Sequence, residues 1–225
     1  MKSAVEIEKI DIDYILGNLS KEFSELSNSK LLLTGCAGFL GFYIVKSIIS
    51  WNAKNPSMSI SLIACDNFAR GKPSWLDEIN DKNIVVFEHN VIEKLPEDIR
   101  GINYIIHAAS IASPLFYRKH PIETMDANVI GLRNLLDHSI NNKILKSFLF
   151  FSSSEVYGDP LSRNIPTKED YWGNVSFTGP RACYDESKRY GETLCVNFFQ
   201  QHDVPVKIAR PFNNYGPGLK INDKR

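Results

Sequence analysis

The stretch Lys30-Leu31-Leu32-Leu33-Thr34-Gly35-Cys36-Ala37-Gly38-Phe39-Leu40-Gly41 decides the fold. A short apolar run ends in a glycine-spaced turn and passes straight into an apolar helical segment, Phe39 to Trp51. Gly35 permits the tight turn, Gly38 lets the backbone approach a pyrophosphate, and Gly41 lets the helix pack closely on the strand. The helix start, with Phe39 and Leu40, offers unpaired N–H groups to an anion. This is the spacing of a dinucleotide-binding strand, turn and helix.

Outward from that stretch, short apolar runs alternate with longer helical ones. Ile60 to Cys65, Ile84 to Phe87, Tyr104 to His107, Ser147 to Ser152 and Val206 to Ala209 join Lys30 to Thr34 as expected strands. Their near-continuous apolar character suits a parallel sheet covered on both faces. Pro121 to Asn141 and Ala182 to His202 read as further helices, the first with Pro where a missing N–H is harmless. The alternation predicts an α/β doubly wound parallel sheet of Rossmann type, one domain over residues 30–225. Residues 1–29 form a separate N-terminal extension. There Ile12, Ile15, Leu19, Phe23 and Leu26 recur at helical spacing, which predicts one amphipathic helix packed on another element.

Composition narrows the class. Of 225 residues, 26 are Lys or Arg and 26 Asp or Glu, so the formal net charge is zero. That balance gives no electrostatic reason to bind nucleic acid or an anionic membrane. A content of 43% apolar and 23% charged residues is that of a globular chain, not a disordered one. Cys36, Cys65, Cys183 and Cys195 show no C-x-x-C spacing, which points to reduced thiols and no zinc site. No apolar run reaches the roughly 18 residues of a membrane span, and Met1 to Ser29 lacks the apolar centre of a secretory signal. A cytoplasmic protein with no bound metal is expected.

The cofactor residues follow from position. Asp66 stands at the end of the second strand, where a carboxylate accepts hydrogen bonds from adenosine ribose hydroxyls and repels a 2′-phosphate, so NAD is favoured over NADP. Asn67 and Arg70 share its loop, and Asn90 and Val91 follow the third strand. After the fourth strand, Ala108 and Ala109 are small enough to let a cofactor lie against the backbone. His107, just before them, reads as a core histidine.

The chemistry lies further on, in Ser152-Ser153-Ser154-Glu155-Val156-Tyr157-Gly158 and Tyr184-Asp185-Glu186-Ser187-Lys188. A spacing of four puts Tyr184 and Lys188 on one helix face. A Lys ammonium beside a phenol lowers the phenol's pKa towards working pH, and a serine hydroxyl can bond the same substrate oxygen.

Together, TGCAGFLG, HAAS, FSSSEVYGDP, YDESK and RPFNNYGPG resemble the extended short-chain dehydrogenase/reductase family, the NAD-dependent sugar-nucleotide epimerases and dehydratases, over about residues 30 to 225. The resemblance implies Tyr184 as base with Tyr184 and Lys188 also touching NAD, Ser153 as the catalytic hydroxyl, and Glu155 as a further catalytic group. It implies Ser110, Ser113, Ser154 and Asn213 as substrate contacts. Glu169 to Gly173, Gly179 to Glu186 and Ser110 to Pro114 look most like the UDP-glucuronate decarboxylases. Asn90, where that family usually has Asp, and Gly218-Leu219-Lys220, where it usually has Pro-Arg-Met, depart from the pattern.

The implied reaction is oxidation at the sugar C4, loss of carbon dioxide from a 4-keto acid, and re-reduction. An NDP-hexose 4,6-dehydratase stays open as the rival, although Ser154 stands where many of those enzymes carry an acidic Asp. A 4-epimerase and a catalytically silent NAD-binding protein stay open behind it. The resemblance further implies a homodimer through Pro121 to Asn141 and Ala182 to His202. It also implies a C-terminal sugar-binding portion beyond Asn222-Asp223-Lys224-Arg225.

Overall fold

A computed structural model describes residues 2–219. Lys220 and the closing Asn222 to Arg225 lie outside the described residues. Six strands, β1 (Lys30–Thr34), β2 (Ser61–Asp66), β3 (Ile84–Glu88), β4 (Tyr104–His107), β5 (Ser147–Phe151) and β6 (Val206–Ala209), form one parallel sheet in the order β3-β2-β1-β4-β5-β6. The chain runs outward from β1 in one direction and then, from β4, in the other. A crevice therefore opens at the carboxyl ends of β1, β2 and β4, where such sheets bind their ligands.

Among the described residues, seven α-helices cover the faces. α1 (Ala4–Asn18), α2 (Ser20–Leu26) and α3 (Phe39–Lys54) precede β2; α4 (Pro114–Lys119), α5 (Pro121–Asp126) and α6 (Leu132–Ile140) follow β4; α7 (Ala182–His202) precedes β6. On one face Leu31, Leu33 and Leu62 pack with Val45, Ile48 and Trp51 of α3. On the other, Leu32, Ile105, Phe148 and Phe150 pack with Leu132, Leu135 and Leu136 of α6 and Cys195 and Phe198 of α7. The central strands are thus buried on both sides, which is why their sequences do not alternate, whereas β3, with Val85 exposed, and β6 form the edges of the sheet.

Two expected helices are subdivided. The N-terminal one breaks at Leu19, whose backbone leaves the helical region at φ −113, ψ 25, so α1 and α2 meet at an angle and Leu19 points outward. Ser3 and Glu6 cap α1 reciprocally. Ile12, Leu16 and Phe23 nevertheless reach the core shared with α3, and Phe23 lies 5.4 Å from the Trp51 ring. Polar pairs complete the contact: Tyr43 Oη donates to Asp11 Oδ2 at 2.9 Å, and Lys54 Nζ to Asp13 Oδ1 at 2.8 Å. Between α5 and α6 the chain widens into a π-helical turn, Ala127–Gly131. There a Cβ on Gly131 would stand 2.5 Å from the Val91 side chain, so the turn sits directly on the loop after β3.

The strand, turn and helix of the opening stretch are locked by backbone contact. A Cβ on Gly41 would fall 2.3 Å from Gly35 O, closer than any side chain is tolerated. Gly41→Ala should therefore lower the unfolding free energy by about 1–3 kcal/mol in urea titration, as overpacking does. Gly17→Ala, in α1 with open space around it, should instead raise it by about 0.5–1 kcal/mol.

Candidate active site

The crevice holds two adjoining cavities. The larger, of about 420 Å³, is bordered by Gly35, Gly38 and Phe39 of the turn, by Asp66, Asn67 and Arg70 after β2, by Asn90 and Val91 after β3, and by Ala108 and Ala109 after β4. Its floor is main chain. Gly35 has φ +79, and a Cβ there would lie 2.6 Å from Ala108 C and Ala109 N, so only glycine lets β1 and β4 come this close. Gly38 caps α3 without a side chain, leaving the first turn of the helix uncovered. Asp66 is held by two backbone donors, Ala37 N to Oδ2 at 3.1 Å and Phe68 N to Oδ1 at 2.9 Å. A carboxylate oxygen accepts more than one hydrogen bond, so this pinned group can still receive hydroxyls.

The smaller cavity, of about 240 Å³, is bordered by Leu40 and Gly41, by Ser110 and Ser113, by Ser153, Ser154 and Glu155, by Tyr184 and Lys188, and by Asn213. Every residue singled out in the sequence therefore borders one of the two spaces. Several elements bring the second set together. Ser153 leaves β5 in extended backbone and caps a 3₁₀ turn, Ser154–Tyr157, by accepting from Glu155 N at 3.3 Å. Tyr184 and Lys188 face inward from the first turns of α7, both buried. Gly191, one turn on, lets α7 press against Phe150; a Cβ there would stand 2.7 Å from that ring. Arg210 ends β6, grips Glu192 of α7 through Nε at 2.8 Å and Nη2 at 2.6 Å, and donates to Tyr157 Oη at 2.8 Å. That brace sets the course of Pro211 to Asn214 along the cavity mouth.

Burial governs the charges. Lys188 Nζ donates to Phe151 O at 2.8 Å and stands over the Phe150 ring, and removal from water pushes its pKa down to about 7. His107 is pushed down to about 3 by burial and shares a 2.8 Å hydrogen bond with Thr34 through Nδ1, which makes it a neutral core group as its sequence position suggested.

Two side chains of the smaller cavity, Tyr117 and Arg181, and Asp185 beside Arg181 were not singled out in the sequence. Tyr117 of α4 stacks on Tyr184 with centroids 5.1 Å apart and planes 13° from parallel. Arg181, at the start of α7, forms an ion pair with Glu155 and lies 3.6 Å from Asp185 Oδ2. Burial pushes Asp185 up to about 6, against the pull of Arg181. The Arg181 and Asp185 spacing of four was a readable signal; nothing local marks Tyr117. Ser110 Oγ, Ser113 Oγ, Tyr117 Oη and Asp185 Oδ1 are buried without a protein hydrogen-bond partner. Buried polar atoms in that condition fit a polar ligand. No group of three or more His, Cys, Asp or Glu stands together as a metal site, and no helix is long and apolar enough to cross a membrane, among the described residues.

Comparison with known proteins agrees with this layout. Residues 31–225 match the profile of the NAD dependent epimerase/dehydratase family. The chain is 40% identical over 200 residues to UDP-glucuronic acid decarboxylase 6 of Arabidopsis thaliana, covering 88% of this chain and 54% of that protein. It is 37% identical over 206 residues to UDP-glucuronic acid decarboxylase 1 of Xenopus tropicalis, covering 91% and 46%. Among solved structures, the UDP-N-acetylglucosamine 4-epimerase of Methanobrevibacter ruminantium, in complex with UDP-N-acetylmuramic acid, superposes with a TM-score of 0.72 at 25% identity over 87% of this chain and 58% of that one. The UDP-glucuronic acid 4-epimerase of Bacillus cereus, in complex with NAD, gives 0.67 at 24% over 85% and 59%, a likeness of fold alone. The chain spans about half the length of the curated relatives it matches.

The state of Lys188 can be read from stability. Its folded pKa lies below the ordinary value of 10.5, so between about pH 7 and 10.5 the unfolded chain binds more protons and stability rises with pH. Below pH 7 both states are protonated and the cost of burial is present in full. The unfolding free energy of the wild type relative to Lys188→Met should therefore increase from pH 7 to 10 in urea titrations; a flat difference would contradict a buried ammonium.

Proposed function

The chain belongs to the NAD dependent epimerase/dehydratase family, and from that premise we propose that it binds NAD and decarboxylates a nucleotide sugar, UDP-glucuronate, through a 4-keto intermediate. The observation that carries this reading is the convergence of Ser153, Glu155, Tyr184 and Lys188 on one cavity that adjoins a glycine-floored cleft. The names of the relatives supply the sugar nucleotide.

The larger cavity suits NAD: an uncapped helix start for the pyrophosphate, a pinned Asp66 for ribose hydroxyls, and a backbone floor at Gly35 and Ala108. When bound, NAD supplies the acceptor and later the donor of hydride at the sugar C4.

The chain's own groups handle the protons and the oxygen. Tyr184 as phenolate, held in that form by the Lys188 ammonium, takes the C4 hydroxyl proton and becomes the neutral phenol. The 4-ketone makes the C5 carboxylate a β-keto acid. Carbon dioxide leaves as the C5–carboxylate bonding pair moves into the ring and onto the ketone oxygen, and Ser153 and Tyr184 hold that enolate. Glu155 orients the sugar and assists delivery of a proton to C5. Tyr184 finally returns its proton to the C4 oxygen. The balance is UDP-glucuronate plus a proton giving UDP-xylose plus carbon dioxide, with no net oxidation. Ser110, Ser113, Ser154 and Asn213 bind the substrate around this centre.

Incubation of the protein with NAD and UDP-glucuronate, followed by NMR of the sugar, should show UDP-xylose or its 4-keto precursor. Unchanged UDP-glucuronate alongside turnover of a dTDP-, CDP- or GDP-hexose would assign the 4,6-dehydratase reaction instead. Tyr184→Phe should lower turnover at least a hundredfold while NAD still binds in calorimetry. Glu155→Gln should let the 4-keto product accumulate.

A homodimer is part of the proposal. Ile122, Met125 and Ile130 along α5 and the π turn, and Tyr190, Val196 and Phe199 of α7, expose apolar side chains on the two helical segments that the family uses for pairing. Sedimentation at micromolar concentration should report twice the monomer mass, and a monomer would refute the pairing.

A further inference from the structure

Glu192 lies on α7 and borders neither cavity, yet its carboxylate gathers three donors. Ser152 Oγ donates to Oε1 at 2.5 Å, Arg210 Nε to Oε1 at 2.8 Å and Arg210 Nη2 to Oε2 at 2.6 Å. With its side chain 14% exposed, the carboxylate is largely shielded from water and needs such partners. Three parts of the fold meet on this one group: Ser152 just past β5, Glu192 on α7 and Arg210 just past β6. Tyr184, Lys188 and Glu192 recur every four residues, so the face of α7 that carries the phenol and the amine carries this anchor one turn further on.

Ser152 sits between two groups of the smaller cavity's polar wall. On one side Phe151 O accepts from Lys188 Nζ, which stands 5.8 Å from the Tyr184 ring centroid. On the other, Ser153 is extended at φ −161, ψ 155 and borders the cavity. Backbone bonds carry the sheet past its strand ends, Ser152 N to Ala209 O at 2.8 Å and Ser154 N to Pro211 O at 3.0 Å, and set the register of this segment. Its tilt towards α7 is set by side chains, Lys188 on Phe151 O and Glu192 on Ser152 Oγ. Successive side chains of extended backbone turn to opposite sides, so a fixed Ser152 hydroxyl fixes the side to which Ser153 turns.

We propose that Glu192 is a positioning residue for proton transfer: by tying Ser152 to Arg210 it holds Ser153 Oγ, and the Phe151 carbonyl that seats Lys188, in place beside Tyr184. This rests on the assignment of Ser153, Tyr184 and Lys188 to the reaction proposed above. Glu192 itself meets neither cofactor nor sugar and acts through Ser152.

The test is turnover of UDP-glucuronate across a range of pH, with calorimetric NAD binding, for the wild type, Ser152→Ala, Glu192→Gln and the double variant. Ser152→Ala keeps the Glu192 and Arg210 pair and so cuts the link without leaving a charge unpaired. It should lower kcat by about fivefold to twentyfold, with KM and NAD affinity within about twofold, as misplaced reacting groups do. Glu192→Gln should lower kcat by about tenfold to a hundredfold. Adding Ser152→Ala to Glu192→Gln should cost less than about a further threefold, since the two act through one contact. In both single variants the acid limb of kcat/KM should move to higher pH, because a displaced Lys188 ammonium holds the Tyr184 phenolate less well. Unchanged kcat in Ser152→Ala, full additivity in the double variant, or an acid limb that stays in place would each overturn the positioning role while the reaction stands. A fall in kcat matched by an equal fall in NAD stoichiometry would trace the loss to unfolded protein and also overturn it. A wild type that turns over no UDP-glucuronate would overturn the proposed reaction and this role with it.

Discussion

Backbone lies directly on backbone where β1 turns into α3, and the rest of the site depends on that closeness. Gly35 faces the main chain of Ala108 and Ala109, and Gly41 faces the carbonyl of Gly35. At these two points no side chain separates the turn after the central strand from its helix or from the end of β4. Asp66 can then bond Ala37 N across the turn, and Thr34 can bond His107 from strand to strand. The cleft owes its flat floor to these absences of Cβ atoms. Interiors are close-packed and yield little, so the walls inherit the precision of the floor.

Above that floor, charge is sorted by depth. At the inner end, burial pushes Lys188 towards its neutral amine and Asp185 towards its neutral acid. At the rim, half-exposed Glu155 and Arg181 remain a full ion pair. A cavity arranged in this way carries paired charge at its mouth and weakly solvated proton donors and acceptors at its base. Low dielectric strengthens whatever hydrogen bonds form there.

The sheet was legible because its central strands are apolar on both faces and short apolar runs alternate with helical ones; the order β3-β2-β1-β4-β5-β6 comes from the structure, where β2 to β3 carries only a 3₁₀ turn and β3 to β4 no helix. The pairing of Tyr184 and Lys188 on one cavity was legible because the two sit one turn apart on a long helix. Leu19 misled because helical spacing counts residues and does not register a change of backbone direction; its φ and ψ end α1 before the pattern ends. The π turn at Ala127 to Gly131 was hidden for a related reason, since one widened turn barely alters periodicity, and its neighbour Val91 lies far away in sequence. Tyr117 went unseen because its partner, Tyr184, is distant along the chain, and only the packing of α4 brings the two rings together.

Tyr43 belongs to two neighbourhoods at once. Its hydroxyl is fixed by Asp11 of α1, and the same oxygen lies 2.9 Å from the position a Cβ would take on Gly216, just past the Asn213 segment at the cavity mouth. The N-terminal helix is therefore a buttress for the loop that runs on from the mouth of the smaller cavity, about two hundred residues away along the chain. Shortening the protein at its front end would slacken that cavity from behind.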